Sequence, residues 1–371
     1  MNRRRFLGHA TAAVALPALT FRTDIALAQA RAEYVIGQSV DLSGPAQNMG
    51  RDYFTGAKLA FDQTTDKARR YRLVQLDDGG DPARTAANID TLLRETRANI
   101  LFGFTGDASV EAVARHRGFA QSNALLFAPM SGAHQYADNP RMVFLRATYA
   151  EEIATLLGRF ARLGLTSLAI AHAENGAGPI ARDAALALLR ERKAPTPARF
   201  VLGRDGNDAV AVAGRIAQAR PQAVVILADT VSASVLAREV VPRCPGTFVC
   251  VTSTTDIGSL QQIVGPRHAV GIVVSRVVPD VRDTAPVVRE FARAQAKLFD
   301  ETPSCAALEG YLAARTLIAA LQRGWGATAQ DDARRLRSLD LGGWTADFSA
   351  GNRTTHYVDT SVISKTGTLV G

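Results

Sequence analysis

Apolar runs of strand length alternate with helix-period segments almost without interruption along this chain, and the alternation begins again at Tyr149. A parallel strand pair needs a long crossover, usually a helix, so this order points to parallel sheets wrapped by helices. In the first half, strand patterns at 34–40, 72–76, 99–102 and 124–127 are separated by helical patterns ending near Gln63, over 82–97 and over 108–121. Pro82 stands near a helix start, where its missing N–H costs nothing. Further on, Tyr149, Ile153, Leu156, Leu157, Phe160 and Leu163 fall at helical spacing on one face. Strand patterns follow at 167–171, 199–202, 223–227, 247–251 and 270–274. The part after Val278 offers helices near 287–299 and 308–321 and a strand pattern over 356–363. It is too short for a third domain and must complete the other two.

The first residues read as an address. Arg3-Arg4-Arg5-Phe6-Leu7 is a twin-arginine pattern, followed by an uncharged stretch over 10–20 and the small-residue site Ala26-Leu27-Ala28. A membrane span needs about 20 apolar residues, whereas this stretch is shorter and carries Thr11, Pro17 and Thr20. Residues 1–28 are therefore expected to be a twin-arginine signal peptide and the remainder a soluble periplasmic protein. No cysteine follows the stretch to carry a lipid, and no later segment is long and apolar enough to span. The rest of the 371 residues still exceeds the roughly 250–300 at which one core stops growing, so two domains are expected.

Charge excludes one class of partner. Of the formal net charge of +8, Arg3, Arg4, Arg5 and Arg22 against Asp24 account for three, leaving five on the mature chain. A nucleic-acid binder gathers its positive charge into a patch with interleaved aromatics. Here the arginines are spread through helical patterns, and Arg69-Arg70 and Arg334-Arg335-Leu336-Arg337 read as solvated faces. Three cysteines, Cys244, Cys250 and Cys305, make no disulfide framework. An oxidising compartment permits a bridge between Cys244 and Cys250, but Cys250 lies in an apolar strand pattern and reads as buried.

In open α/β sheets, ligands sit beyond the carboxyl ends of the strands, among loops and helix N-termini. In the first unit those loops are Asp41-Leu42-Ser43-Gly44-Pro45, Thr105-Gly106-Asp107-Ala108-Ser109 and Pro129-Met130-Ser131-Gly132. The second offers a loop over 172–178, Asp229-Thr230 and Thr252-Ser253-Thr254-Thr255. Such loops suit a small polar ligand held by neutral hydrogen bonds, although the same residue types also serve as helix caps and turns.

At Gly37-Gln38-Ser39-Val40-Asp41-Leu42-Ser43-Gly44-Pro45, then Gly50 and Gly56-Ala57, the chain resembles the leucine/isoleucine/valine-binding family of periplasmic receptors. The resemblance continues through Asp77-Asp78, Asp81-Pro82, Ala86, Asn88, Leu92, Phe102-Gly103, Ser109, Ala128-Pro129, Phe144 and Arg146. It runs on to Asp347-Phe348, Gly351-Asn352 and Val358. It implies the type I periplasmic binding protein fold, two α/β lobes with parallel sheets joined by a three-crossing hinge. Carried onto this chain, the N-terminal lobe is 31–147 plus 277–345 and the C-terminal lobe 148–276 plus 346–371. An ABC transporter permease is the implied partner, and a small-molecule ligand the implied cargo.

The chain also departs from the family pattern. The link Thr64-Thr65-Asp66-Lys67-Ala68-Arg69-Arg70 lacks the family's glycines, and Met49 replaces an aromatic residue that covers the ligand. The loop that holds the ligand's carboxylate and ammonium groups reads Met130-Ser131-Gly132, and the region of the ammonium-binding acid reads Ser253-Thr254. Together, loops and resemblance nominate Met49, Thr105, Asp107, Ala108, Ser109, Met130, Ser131, Gly132, Asp229, Thr230, Ser253 and Thr254 as ligand-binding residues. A ligand carboxylate is expected at the helix start near Ala108, with Asp107 turned back as a cap. Asp229 is expected to meet a ligand ammonium group.

Enzymatic readings find less support in the motifs. Gly176-Ala177-Gly178-Pro179-Ile180-Ala181 fits G-x-G-x-x-A, but Pro179 removes an N–H from the loop and no acid clearly ends the next strand. There is no G-x-S-x-G and no H-E-x-x-H. His172-Ala173-Glu174 with Pro242-Arg243-Cys244 lacks the P-C-x-x-C of a zinc deaminase. His116 and His134 stand apart from other ligand types and are expected on the surface or in loops. The expectation is a monomeric receptor with no cofactor, no metal and no catalysis, which closes on a small polar, carboxylate-bearing, amino-acid-like solute. A ligand sensor of the same fold fits the residues equally well, and a cofactor-binding exported oxidoreductase is the lesser alternative.

Overall fold

The computed structural model describes residues 32–371, apart from 67, 137, 175–176, 204–205, 301–302, 329–331 and 350. The expected signal peptide lies outside the described residues, as does Gly176.

Strands and helices alternate from the first described residues: β1 (Ala32–Val40), α1 (Gln47–Gln63), β2 (Arg69–Asp77), α2 (Pro82–Asp90), β3 (Ile100–Phe102), α3 (Asp107–Arg115), α4 (Arg117–Gln121), β4 (Leu125–Phe127) and β5 (Met142–Val143). They form a five-stranded parallel sheet in the order β2-β1-β3-β4-β5. Every residue of β3 and β4 is buried, as expected of parallel strands covered on both faces. On one side lie Ile36, Phe102 and Phe127, and on the other Leu101, Phe104 and Leu126. The helix expected over 82–97 divides, α2 being followed by a π turn over Thr91–Glu95.

The second alternation contains α5 (Tyr149–Arg162), β6 (Leu168–Ala173), α6 (Gly178–Glu191), β7 (Ala198–Leu202), α7 (Ala209–Ala219), β8 (Ala223–Leu227), α8 (Thr230–Arg243), β9 (Phe248–Val251), α9 (Ile257–Val264), α10 (Pro266–Ala269) and β10 (Val273–Arg276). Five of the helical-face residues read from sequence in α5 are buried, Tyr149, Ile153, Leu156, Leu157 and Phe160. Leu163 is 71% exposed because α5 has already ended, with Leu163 as its C-cap.

The remaining elements are α11 (Pro286–Gln295), α12 (Cys305–Gln322), β11 (Ser338–Asp340), β12 (Thr345–Asp347), β13 (Asp359–Ile363) and β14 (Leu369–Val370). They are shared between the two units. Helices α11 and α12 pack in the core of the first sheet, with Phe291, Tyr311 and Leu317 beside Phe102 and Phe127. Strands β13 and β14 add antiparallel to the second sheet, giving the order β14-β13-β10-β9-β8-β6-β7. Strands β11 and β12 form a separate hairpin that the sequence pattern did not reveal.

Helix α12 is apolar almost all round, as a helix enclosed by protein must be. It lies backbone to backbone on α1. A Cβ on Gly56 would stand 1.8 Å from the Ala307 carbonyl oxygen, and one on Gly310 2.0 Å from that of Tyr53.

The chain passes between the two sheets three times: after β5, after β10 and before β13. The first and third passages are stapled together. Phe144 N–H donates to the Asn352 carbonyl at 2.7 Å, and Thr354 N–H donates to the Phe144 carbonyl at 2.9 Å. Arg353 lies over the Phe144 ring at 4.5 Å and donates to the carbonyls of Ala133 and Arg146.

Candidate ligand-binding site

The strands of both sheets end at a common cleft of about 760 Å³. The first lobe supplies Asp41, Pro45, Ala46 and Met49 after β1, Thr105 to Ser109 after β3, and Met130 after β4. The second supplies Ala173, Ala177 and Gly178 around the end of β6, 227–232 after β8, and Thr254 after β9. This is the crevice at the carboxyl ends of the strands where α/β sheets take their ligands.

Local chemistry holds these loops in place. Asp41 accepts the N–H groups of Gly44 at 2.5 Å and Ala46 at 2.8 Å, and its own N–H donates to Thr105 Oγ1 at 3.2 Å. The β1 and β3 loops are thereby joined. In the second lobe Asp229 caps α8, accepting the N–H groups of Val231 and Ser232, both at 3.0 Å. Thr230 Oγ1 donates to the Thr254 carbonyl at 3.3 Å and accepts the Asp256 N–H at 3.1 Å. Gly178 permits α6 to begin close to β6, since a Cβ there would meet the Ala173 carbonyl oxygen at 2.2 Å.

Asp107 is placed differently from the sequence expectation. It is the first residue of α3, whose N-cap is Gly106 at φ +85°, and no side chain caps the helix. Instead Asp107 Oδ1 accepts the hydroxyls of Ser131 at 2.5 Å and Tyr149 at 2.9 Å. Tyr149 reaches it because residue 132 is glycine: a Cβ there would stand 2.6 Å from the Tyr149 ring. Burial raises the Asp107 pKa, opposed by the two hydroxyl donors and by Arg146.

Of the nominated residues, Met49, Thr105, Asp107, Ala108, Ser109, Met130, Asp229, Thr230 and Thr254 line the cleft. Ser131, Gly132 and Ser253 stand behind its wall. Ser131 turns its hydroxyl to Asp107, Gly132 makes room for Tyr149, and Ser253 Oγ donates to Glu152 Oε1 at 3.0 Å while accepting from Arg146. Glu111, Gln135, Tyr149 and Ser232 line the cleft without having been nominated. Glu111 was within reach of sequence reasoning, because it lies four residues beyond Asp107 on one helix face.

Beneath the cleft runs a buried ionic network. Arg146 lies 3.8 Å from Glu152 and 3.4 Å from Glu309. Glu152 accepts the Ser253 N–H at 2.8 Å and the hydroxyl of Ser275. Burial raises the Glu309 pKa against the pull of Arg146. Burial opposes the charge on Arg146, but Glu309 and Glu152 hold its pKa above the ordinary value.

No group of three or more His, Cys, Asp and Glu among the described residues could hold a metal ion. All three cysteines are free thiols, with Cys250 buried in β9. His116, expected on the surface or in a loop, is the single residue linking α3 and α4, where it accepts the Phe119 N–H at 3.2 Å and caps α4 with its side chain 13% exposed. No helix among the described residues is long and apolar enough to cross a membrane.

A family model described as periplasmic binding protein matches residues 33–363. The chain belongs to the periplasmic binding protein family. No curated protein matches this binding protein in sequence. Among solved structures it is similar to a substrate-binding periplasmic protein from Ralstonia solanacearum, 27% identical, with a TM-score of 0.78 and coverage of 91% of this chain and 99% of that one. An extracellular ligand-binding receptor from Verminephrobacter eiseniae gives a TM-score of 0.81 at 22% identity, covering 92% of this chain and 100% of that one. A possible leucine/isoleucine/valine-binding protein from Rhodopirellula baltica gives 0.79 at 23% identity, covering 94% and 98%. The binding protein therefore has the type I periplasmic binding fold and a solute-binding role.

Proposed function

We propose that this protein is the exported receptor of an ABC-type importer, closing on a small polar, amino-acid-like solute and presenting it to the permease. The observation that carries this reading is the cleft itself, walled by strand-end loops of both sheets, which three chain passages connect. Few chain crossings let two rigid lobes rotate about them, the ordinary hinge motion of such folds. In this reading the lobes are 31–147 with 277–345 and 148–276 with 346–371, residues 1–28 are a twin-arginine leader, and the mature chain acts as a periplasmic monomer. Met49, Thr105, Asp107, Ala108, Ser109, Met130, Asp229, Thr230 and Thr254 are the residues proposed to touch the solute.

The test is a thermal-shift screen of amino acids, amino-acid amides, amines, aromatic acids and short carboxylates. A bound solute raises Tm by mass action. Small-angle scattering with a proven binder should then show a smaller radius of gyration. A blank screen removes the receptor reading, and an unchanged radius in a proven binder removes closure.

A further inference from the structure

The residues that line the cleft carry acids from both lobes, Asp41, Asp107 and Glu111 from the first and Asp229 from the second. Among the described residues lining it there is no arginine, lysine or histidine. Asp41 and Asp229 are engaged by backbone N–H groups of their own loops. Asp107 is not. It occupies the first position of a nine-residue helix with no side-chain cap, the place where free N–H groups and the helix dipole would draw a ligand anion. The chain has put its own carboxyl there, and Ser131 and Tyr149 hold it by hydroxyls rather than by a cation. Glu111 follows one turn later and also lines the cleft.

We propose that the cleft selects a cationic amine without a free carboxylate, its ammonium group docked against Asp107. The proposal rests on the receptor reading above and names the chemical class of its solute. A ligand carboxylate at the start of α3 would face Asp107 at short range, with no lining cation to offset the repulsion. An ammonium group there gains a charge-assisted hydrogen bond, roughly twice as strong as a neutral one. The neutral groups of Thr105, Ser109, Gln135 and Thr254 remain for the polar, uncharged end of such a molecule.

The pH dependence has a definite sign. Burial raises the Asp107 pKa, Ser131, Tyr149 and Arg146 lower it, and Glu111 raises it again, while Tyr136 is the further titratable group facing it. Docking a cation favours ionised Asp107 and expels any proton it holds. Affinity for an amine that stays protonated throughout, as tyramine does, should therefore rise with pH through the raised pKa of Asp107 and level off above it. Affinity for the α-amino amides should instead fall again as their amino group deprotonates at about pH 7.7–8.0.

The test uses the mature protein in calorimetry against L-phenylalaninamide, L-leucinamide and tyramine, with L-phenylalanine, L-leucine, phenylacetate and 4-methylpentanoate as matched zwitterions and anions. The expected result is tighter binding of the cations than of their counterparts. Asp107→Asn keeps an acceptor for Ser131 and Tyr149 and should weaken the cations by about tenfold or more, the scale of a hydrogen bond to a charged group. It should also abolish the rise of affinity with pH. Should that variant not fold, the wild-type pH dependence and the charge ranking still decide. Preference for the zwitterions or anions overturns the proposal and leaves the receptor reading standing. No binding by any of the seven, together with a blank wider screen, overturns the receptor reading and the proposal with it.

Discussion

Arg146 Nη1 stands 3.4 Å from Glu309 Oε1, a charged contact between the first chain passage and α12 with both residues almost wholly enclosed. On its other side Arg146 faces Glu152 of α5, which Ser253 and Ser275 hold from the ends of β9 and β10. One guanidinium thus ties a first-lobe helix to three elements of the second lobe.

Removing that cation alone leaves two buried carboxylates without their partner. Arg146→Met should cost about 3–5 kcal/mol, the usual scale for breaking a buried ion pair from one side. In the double variant with Glu309→Leu one orphaned charge is gone as well, so the combined loss should be less than the sum of the two single losses. Urea unfolding of the four proteins measures the coupling. Strict additivity would show that Arg146 and Glu309 do not act together.

The same network sets part of the pH profile. Burial raises the folded-state pKa of Glu309. Its contribution to stability is therefore fully present below the unfolded carboxyl value of about 4.3 and is lost as pH rises through the folded value. Asp77 has the opposite sign. Ser43 at 2.7 Å, the N–H groups of Leu42 and Gly79, both at 2.9 Å, and Arg84 at 3.0 Å hold it well below the usual range. Its contribution is present above about 3.9 and is lost as pH falls through the folded value. Melting temperatures across the acid range should show Glu309→Gln flattening the decline on the neutral side and Asp77→Asn flattening the acid side. If the two variants keep the wild-type profile, these carboxyls are not the groups that shape it.

Helices α1 and α12 touch through Gly56 and Gly310, each of which would drive a Cβ into the facing backbone. Gly310→Ala removes a glycine from a helix interior, which by propensity alone would stabilise the protein by about 1 kcal/mol. The backbone clash at 2.0 Å outweighs this, because overpacked cores lose about 1–3 kcal/mol or more. The urea midpoint should fall with little change in slope. A midpoint that rises would mean that the two helices separate without cost.

Periodicity carried most of the architecture, since buried parallel strands such as Ala223–Leu227 are uninterrupted apolar runs between helices. It failed where elements are too short to have a period. The two-residue β5 and the hairpin of β11 and β12 draw their order from neighbours distant in sequence. For the site, strand-end geometry led to Thr105, Met130, Asp229 and Thr254, which line the cleft. It could not tell which of two adjacent loop residues faces inward, so Ser131 and Ser253 were nominated beside Met130 and Thr254. The Asp107 partners were illegible for a related reason. Tyr149 lies 42 positions away and reaches the carboxyl only through the space left at Gly132.

Asp229 has two separable roles, and substitution can divide them. Its Oδ1 accepts two N–H groups at the start of α8, so Asp229→Ala should lose about 1 kcal/mol of stability through the missing cap. Asn caps nearly as well as Asp, so Asp229→Asn should unfold within a few tenths of a kcal/mol of the wild type. Both variants delete the same charge from the cleft wall. Because Asp229 is exposed, solvent and salt screen its attraction for a bound amine, and the loss should be smaller than at Asp107. Calorimetry with L-phenylalaninamide should give equal, few-fold weakening in the Asn and Ala variants, diminishing at high salt. If Asp229→Asn binds as well as wild type while Asp229→Ala does not, the residue serves the cleft only as the cap of α8.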